Sequence, residues 1–369
     1  KKKAKFLMKI AIFGGSFDPI HNGHIKVASK VKKCLQIDKV YFELAASPRW
    51  KTPNVSSKDR SNMLKLAIEG IESFDIDTYE LDSNKEINYS IDTVKYFKNK
   101  FPNDEIFFLI GYDQVNKLHD WYKIDELANL AHLVAYNRKD NQKLNEENII
   151  KYHIQIVEGP YYNISSTMVR EFRSIEVNKN VLRYMLDNRL YYASKVQNFL
   201  TVHRYDHSVE VALLALEIAK SNKLNKLNVF KTALLHDIGK DIKEEESLKI
   251  MQTYFKEYMD LPHYAYHQFV GSYLAKKEFR VSNIKIVEAI KYHCTGNSNM
   301  GSIAKVVYAS DKIEPTRGFD SSMLIKGCIE NYKTGFIKVL EANREYLLGK
   351  KANINDKLTN ACMRYYLNK

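Results

Sequence analysis

Two histidines stand three residues apart in a glycine-rich stretch near the start of the chain. The glycines permit a tight turn and let a ligand approach the backbone. A helix that begins after such a turn presents free N–H groups and the positive end of its dipole, which favour phosphate. The stretch therefore predicts a nucleotide-phosphate site. Its predicted binding residues are Gly14, Gly15, Ser16 and Phe17, and its predicted catalytic residues are His21 and His24.

A second chemical cluster is indicated after residue 200, where six of the eleven histidines fall. His236 and Asp237 are adjacent within an apolar stretch, and burying them is costly unless they bind a metal or each other. Four imidazoles and two carboxylates on separate predicted helices suffice for two first-row metal ions. The predicted ligands are His207, His236, Asp237, His267, His293 and Asp311. No role is assigned to His119, His132, His153, His203 or His263.

The elements that must position the first site alternate between strand-like and helix-like patterns. The predicted strands are Lys9–Phe13, Lys39–Leu44, Asp75–Tyr79, Glu105–Ile110, His132–Tyr136 and Ile154–Val157. The predicted helices are Gly23–Leu35, Lys58–Glu69, Ser90–Lys100 and Ile124–Leu130. This alternation predicts an α/β doubly wound parallel sheet, Rossmann-like, with ligands bound beyond the carboxyl ends of the strands.

The second half contains only helical patterns, which predict an all-α domain. The predicted helices are Asp206–Lys220, Leu227–Ile238, Glu244–Tyr254, Tyr266–Phe279, Asn283–His293, Ile303–Ile313 and Ser322–Tyr346. We expect one domain over residues 1–192 and a second over residues 193–369.

Composition is typical of a globular protein, with 45% hydrophobic and 27% charged residues among 369. The formal charge of +13 favours a polyanionic partner, although a lysine-rich solvated surface explains it equally well. Four widely spaced cysteines suggest a reduced, cytoplasmic compartment rather than a disulfide framework. The first residues lack the pattern of a signal peptide, and we expect the natural start at Met8. No apolar stretch is long enough to span a membrane.

The stretch His21-x-Gly23-His24 resembles the signature of the nucleotidyltransferase superfamily, and the first half resembles a bacterial nicotinate-mononucleotide adenylyltransferase. A second phosphate motif supports this resemblance, because Ser165, Ser166 and Thr167 can cap a helix and offer donors to phosphate. Arg170 would add a catalytic bidentate donor for the outer phosphates of ATP. The implied reaction is attack of nicotinate mononucleotide on the α-phosphorus of ATP, with Mg²⁺ on the leaving pyrophosphate.

The acceptor pocket of that family is matched in part. Gly111 and Asp113 follow a predicted strand, and Trp121 corresponds to the residue that stacks on the pyridine ring in the family. Packing under a surface loop is the alternative interpretation of Trp121. Tyr112 replaces the usual alanine between Gly111 and Asp113. Thr93 and Lys51 also match family binding positions, although the residues before Lys51 differ from the usual Pro-Pro-His run.

The histidine-rich half resembles HD-domain phosphohydrolases, and specifically the bacterial enzymes that cleave diadenosine tetraphosphate symmetrically to two ADP. The matching stretches surround His207, His236, His267, His293 and Asp311. This resemblance implies two ions of iron or another first-row divalent metal, with Asp237 bridging and catalytic. Lys240, Arg204, Arg317 and Thr295 would contact the substrate, although Lys240 also fits a charge that complements a helix dipole.

The combined expectation is a bifunctional enzyme that uses ATP, nicotinate mononucleotide and diadenosine tetraphosphate. Three alternatives remain open: a nicotinamide mononucleotide or pantetheine phosphate acceptor, an HD domain acting on other nucleotides, and an HD domain that only senses nucleotides. We do not expect a nucleic-acid partner, because no binding motif is recognisable. Formation of a homo-oligomer is left open.

Overall fold

The structure is a computed structural model that describes residues 7–46, 52–83, 85, 87–137, 144–350 and 356–367. The chain divides into two compact units, Lys1–Met185 and Leu186–Lys369. This division lies seven residues before the domain boundary that we propose from the sequence. No helix in the described ranges combines the length and apolarity needed to cross a membrane.

A parallel sheet forms the centre of the first unit. Its strands are β1 (Lys9–Gly15), β2 (Lys39–Leu44), β3 (Phe74–Asp77), β4 (Glu105–Ile110), β5 (His132–Asn137) and β6 (Gln155–Glu158). They are ordered β3-β2-β1-β4-β5-β6, and all neighbouring pairs are parallel. The predicted fold class is therefore confirmed. Only the third strand differs notably in extent, because the chain turns into a short helix at Tyr79.

Helices connect these strands. They are α1 (Asn22–Leu35), α2 (Ser57–Ile68), α3 (Tyr79–Asp82), α4 (Ser90–Lys100), α5 (Ile124–Leu130), α6 (Glu146–Lys151), α7 (Ser166–Arg170) and α8 (Lys179–Asp187), with a 3₁₀ segment at Tyr112–Asp120. The four predicted helices are present. Most of the additional helices are shorter than two turns, too short to show a helical period in the sequence.

The strand order reverses between β1 and β4, which pair directly with each other. In open parallel sheets this reversal leaves a crevice beyond the carboxyl ends of the two strands. The turn Ser16–His21 follows β1, and Gly111 follows β4. The sheet topology therefore brings the predicted phosphate turn and the Gly111 loop to one edge.

The second unit is entirely helical in its described part. Its helices are α9 (Tyr192–Gln197), α10 (Val202–Ser221), α11 (Lys226–Leu235), α12 (Glu244–Tyr254), α13 (Tyr266–Lys277), α14 (Ile284–Lys291), α15 (Ser302–Ile313), α16 (Ser322–Glu330), α17 (Tyr332–Gly349) and α18 (Lys357–Leu367), with 3₁₀ turns at Lys256–Tyr258, His263–Ala265 and Pro315–Arg317. The all-α prediction is confirmed. Buried apolar side chains on α10, α11 and α15 form much of its core.

The single helix predicted over Ser322–Tyr346 is wrong, because α16 ends and α17 begins around Asn331. Asn331 has extended backbone angles, and its side chain accepts hydrogen bonds from the N–H groups of Lys333 and Thr334. Asparagine favours such a cap over a position inside a helix. The two helices approach closely at Gly335, where an added Cβ would lie 2.5 Å from the Cα of Cys328.

A buried acidic cluster joins β2 to β3 and α3. Glu43 is fully buried and accepts a hydrogen bond from the backbone N–H of Glu80 at 2.9 Å. Burial, together with the nearby Asp77 and Glu80 carboxylates, raises the pKa of Glu43 to about 8. Asp77 is paired with Lys100 at 2.7 Å. Glu43 is therefore a carboxyl group that retains its proton at neutral pH.

Glu43→Gln should change the pH dependence of stability. The folded protein holds the Glu43 proton up to pH about 8, whereas the unfolded chain releases it near the ordinary glutamate value. This stabilising contribution is complete at low pH and is lost as the pH rises to about 8. Glutamine mimics the protonated carboxyl, so the variant should gain on the order of a few kcal/mol over wild type at pH 8 and little at pH 4.5.

Urea unfolding at a series of pH values measures this difference. Glu72→Gln, which alters an exposed carboxylate of the same unit, is the matched control. A stability difference between Glu43→Gln and wild type that does not vary with pH would contradict the assignment of a protonated Glu43.

Candidate active sites

A cavity of about 230 Å³ opens at the crevice between β1 and β4. It is lined by His21, Gly23 and His24 from the first phosphate motif and by Ser165 and Ser166 from the second. Gly111 contributes from the loop after β4. The structure therefore brings together two motifs that lie more than 140 residues apart in the sequence.

His24 has a defined tautomer in this cavity. Its ring stacks on His21 with centroids 3.7 Å apart, and its Nδ1 accepts the backbone N–H of His21 at 3.2 Å. A neutral imidazole whose Nδ1 accepts must carry its proton on Nε2. Gly23 leaves room for this stacking, because a Cβ there would lie 3.0 Å from the His21 ring. His24 thus offers an N–H donor at the start of α1.

The second motif is tied to the turn after β1. Ser166 Oγ donates to the carbonyl of Pro19 at 2.9 Å, and Arg170 donates to the carbonyl of Asp18. Arg170 Nη2 also donates to Thr167 Oγ1 at 2.8 Å. The guanidinium of Arg170 therefore holds the turn in place, and it is not among the residues that line the cavity.

The glycine turn itself contributes less surface than predicted. Gly14, Gly15, Ser16 and Phe17 do not line the cavity. Phe17 is 2% exposed, and its ring packs edge-on against His24 with centroids 5.2 Å apart. Phe17 therefore packs against the His24 ring and helps to hold it in position.

Of the predicted acceptor residues, Trp121 lines a separate cavity of about 630 Å³, whereas Gly111 lines the first cavity. The ring of Trp121 also packs edge-on against Phe108 of the core, with ring centroids 6.3 Å apart. Thr93 is 1% exposed and donates to Glu80 at 3.0 Å, away from the cavity wall. Asp113 is exposed and accepts from Gln114. Lys51 lies outside the described residues.

In the helical unit, the six predicted metal ligands converge. Two groups of three place their ligand atoms within 4.8 Å of one another: His207, His236 and Asp311, and His236, Asp237 and His293. His267 joins the second group, with its Nε2 3.4 Å from Asp237 Oδ1. His236 and His293 lie at or just beyond the ends of α11 and α14, where the chain turns inward.

Three of these imidazoles are oriented by their own backbone. Nδ1 of His236, His267 and His293 faces the carbonyl oxygen three residues earlier, on Ala233, Tyr264 and Ile290, at 2.6, 2.6 and 2.8 Å. This bond places the proton on Nδ1 and leaves a lone pair on Nε2. Each ring therefore presents a ligand atom to the interior.

The buried side chains of His267, His293 and Asp237 favour binding of a cation. Burial lowers the pKa of His267 to about 3 and also lowers that of His293, so both rings are neutral at pH 7. Their Nε2 atoms lie 3.1 Å apart and carry facing lone pairs. Buried Nε2 of His236 and Oδ1 of Asp237 have no hydrogen-bond partner among the described residues. Two neutral imidazoles and a carboxylate whose ligand atoms surround one point are suited to binding a divalent metal ion.

Basic residues surround this cluster. Arg204, Lys240 and Arg317 line a cavity of about 700 Å³ beside the ligands, as does His203, which the sequence did not single out. Lys240 Nζ lies 3.0 Å from Asp237 Oδ2. Thr295 is 3% exposed and hydrogen-bonds to Gln268, so it braces the turn after His293 and does not line the cavity.

Glu314 is a supporting residue that the sequence reasoning missed. It is 1% exposed, and its Oε1 lies 3.1 Å from Nδ1 of His207. Although burial opposes it, hydrogen bonding to Asp311 and Glu314 raises the pKa of His207 to about 9. Glu314 follows Asp311 by three residues and lies directly after the end of α15 at Ile313. That spacing was the available signal.

Comparison with known proteins matches both units. A cytidylyltransferase-like family model matches residues 12–172, and an HD domain model matches residues 204–316. A probable nicotinate-nucleotide adenylyltransferase/Ap4A hydrolase of Mycoplasma genitalium is 31% identical over 345 residues, covering 90% of this chain and 97% of the relative. The nicotinate-nucleotide adenylyltransferase of Bacillus subtilis is 35% identical over 197 residues, covering 50% of this chain and 99% of that protein.

Among solved structures, a predicted HD superfamily hydrolase involved in NAD metabolism from Clostridium acetobutylicum is 25% identical, with a TM-score of 0.43, covering 47% of this chain and 96% of that chain.

The two family models and the curated relatives define a two-domain nucleotide enzyme, in which a cytidylyltransferase-like domain precedes an HD domain with candidate ligands for a divalent metal. The chain belongs to the family of fused nicotinate-nucleotide adenylyltransferase/Ap4A hydrolases.

Glu314→Gln should weaken metal binding. The carboxylate holds the His207 ring in place, and loss of such an outer partner costs about 10–100-fold in metal affinity. The measurement is metal content after dialysis against graded chelator, with a circular dichroism spectrum to verify folding. Glu217→Gln changes an exposed carboxylate on the same helix as His207 and should retain wild-type affinity. Equal metal affinity in both variants would exclude this role for Glu314.

Proposed function

We propose that the first unit transfers AMP from ATP to nicotinate mononucleotide, giving deamido-NAD and pyrophosphate. The observation that carries this proposal is the shared cavity, in which His21 and His24 face Ser165 and Ser166. The family relatives carry the same activity in their names. No covalent enzyme intermediate is needed, because the acceptor phosphate attacks the α-phosphorus directly.

The residues act by positioning and by stabilising charge. His24 donates from Nε2 to the α-phosphate as negative charge develops, and the positive end of the α1 dipole lies beside it. The Ser165 and Ser166 end of α7 contacts the outer phosphates. Arg170 keeps this end against the turn after β1. Mg²⁺ carried by ATP would supply positive charge for the leaving pyrophosphate.

We propose nicotinate rather than nicotinamide as the acceptor base. Trp121 offers a ring for stacking in the 630 Å³ cavity, and Lys117 lines the same cavity with an exposed ammonium group. A carboxylate is attracted to that cation, whereas a neutral carboxamide is not. Pantetheine phosphate has no ring to stack on Trp121.

We propose that the second unit hydrolyses diadenosine tetraphosphate to two ADP with two ions of iron or another first-row divalent metal. The convergence of four imidazoles and two carboxylates carries this proposal. His207, His236, Asp237 and Asp311 would hold one ion, and His267 and His293 would complete a second around Asp237. Such ions activate water and polarise phosphoryl oxygens. Lys240, Arg204 and Arg317 neutralise the phosphate chain from the neighbouring cavity.

His24→Ala should reduce adenylyl transfer by about 10²–10³-fold, because it removes a donor to the developing charge. Chromatography of reactions containing ATP and nicotinate mononucleotide measures dinucleotide formation. His132→Ala, which changes a half-exposed histidine at the start of β5, should retain full activity. Near-wild-type turnover by a folded His24→Ala protein would remove His24 from the mechanism. Parallel reactions with nicotinamide mononucleotide and pantetheine phosphate test the acceptor.

Asp237→Asn should abolish hydrolysis of diadenosine tetraphosphate. Loss of an outer-shell partner already costs about 10–100-fold, so loss of a bridging ligand should cost more than about 100-fold. The readout is ADP release together with metal content. Asp260→Asn alters an exposed carboxylate in the same unit and serves as control. Release of AMP and ATP by wild type would exclude symmetrical cleavage, and undiminished ADP release by Asp237→Asn would exclude the metal assignment.

A further inference from the structure

A second cavity in the helical unit adjoins the metal ligands. Its volume is about 450 Å³, within the range of small-ligand sites. Arg317 lines both this cavity and the 700 Å³ cavity beside the metal ligands. The two cavities therefore share one lining side chain.

The walls of this cavity combine an apolar floor with an aromatic rim. Ile313 and Val339 are each 1% exposed and form part of the floor. Phe319 and Tyr346 line the cavity while remaining 50% and 62% exposed. Single exposed aromatic rings are ordinary on protein surfaces. Two of them on one concave, apolar cavity are typical of sites where a planar ring stacks.

Polar groups at the cavity are few. Asn343 donates from Nδ2 to the hydroxyl of Tyr308 at 3.0 Å, which leaves the carbonyl oxygen of the same amide as an acceptor. The exocyclic or ring N–H groups of a purine base are donors that suit it. An apolar site with a small number of such groups is the usual form of a nucleoside pocket.

Cations connect this cavity to the site of phosphate chemistry. Arg317 Nη2 lies 2.6 Å from Oδ1 of Asp311, and Lys312 Nζ lies 2.7 Å from Oδ2 of the same carboxylate. Both cations also line the 450 Å³ cavity. A molecule whose phosphates lie at the metal ligands can therefore continue past these cations toward the aromatic rim.

We propose that the cavity lined by Phe319, Asn343 and Tyr346 binds the purine nucleoside of one half of a dinucleoside polyphosphate. This inference rests on the proposed hydrolase function and names a specificity site for it. The base stacks on the aromatic rim, Asn343 accepts from its edge, and Arg317 with Lys312 holds the first phosphates. The cations Lys312 and Arg317 at the cavity, and the fact that Arg317 also lines the cavity beside the metal ligands, favour this occupant over a protein segment.

The first test measures specificity. Tyr346→Ala and Phe319→Ala should each raise KM for diadenosine tetraphosphate about tenfold, with kcat and metal content within twofold of wild type. Inhibition of the same reaction by pyrophosphate, which lacks a base, should be unchanged. Tyr254→Ala removes a 56% exposed tyrosine of the same unit, outside this cavity, and should leave every value unchanged. Unaltered KM in both cavity variants, or equal weakening of pyrophosphate, overturns the proposal.

The second test does not depend on hydrolysis. The metal-loaded chain is photolabelled with 8-azido-ADP, and peptides are mapped by mass spectrometry. Label is expected on peptides that contain Phe319 or Tyr346, with competition by ADP and not by pyrophosphate at equal concentration. Absence of label from both peptides overturns the proposal. If wild type hydrolyses no dinucleoside polyphosphate, the proposed hydrolase function fails, and labelling alone decides whether the cavity binds the nucleoside.

Discussion

The helical unit depends on one constraint: two buried imidazole nitrogens face each other with lone pairs and no proton between them. The Nε2 atoms of His267 and His293 are buried 3.1 Å apart, and the Asp237 carboxylate lies beside them. Such a group of acceptors is unfavourable in an apolar interior unless a cation occupies the centre. Cations around the cluster also offset its negative charge. Lys240 contacts the carboxylate of Asp237, and Lys312 contacts that of Asp311.

The site of the first unit depends instead on the order of the strands in its sheet. Reversal of strand order between β1 and β4 brings together loops that are distant in the sequence, and the Ser165–Arg170 segment then bonds to the turn between them. Its phosphate site is therefore built from a turn, two helix starts and the side chains of His24, Ser165 and Ser166. The two units thus handle phosphate chemistry through different physical means, one by helix ends and neutral donors, the other by ligands for metal ions.

Much of this arrangement could be predicted from the sequence. All six strands and the ligand set were expected, because strand alternation and histidine spacing are local patterns. The break at Asn331 was missed, since apolar spacing continues across it and only the cap reveals it. Thr93 and Thr295 turn inward, which depends on partners such as Glu80 and Gln268 that only the tertiary structure brings near. Lys51 lies outside the described residues.

The carbonyl contacts of His236, His267 and His293 orient metal-binding side chains before any ion is bound. Each ring is held by the carbonyl group of the residue three positions earlier, so its orientation is set within a short segment of the chain. Assembly of the helices then only has to bring ready-oriented ligands together. An ion entering such a centre would meet three of its six proposed ligands already oriented.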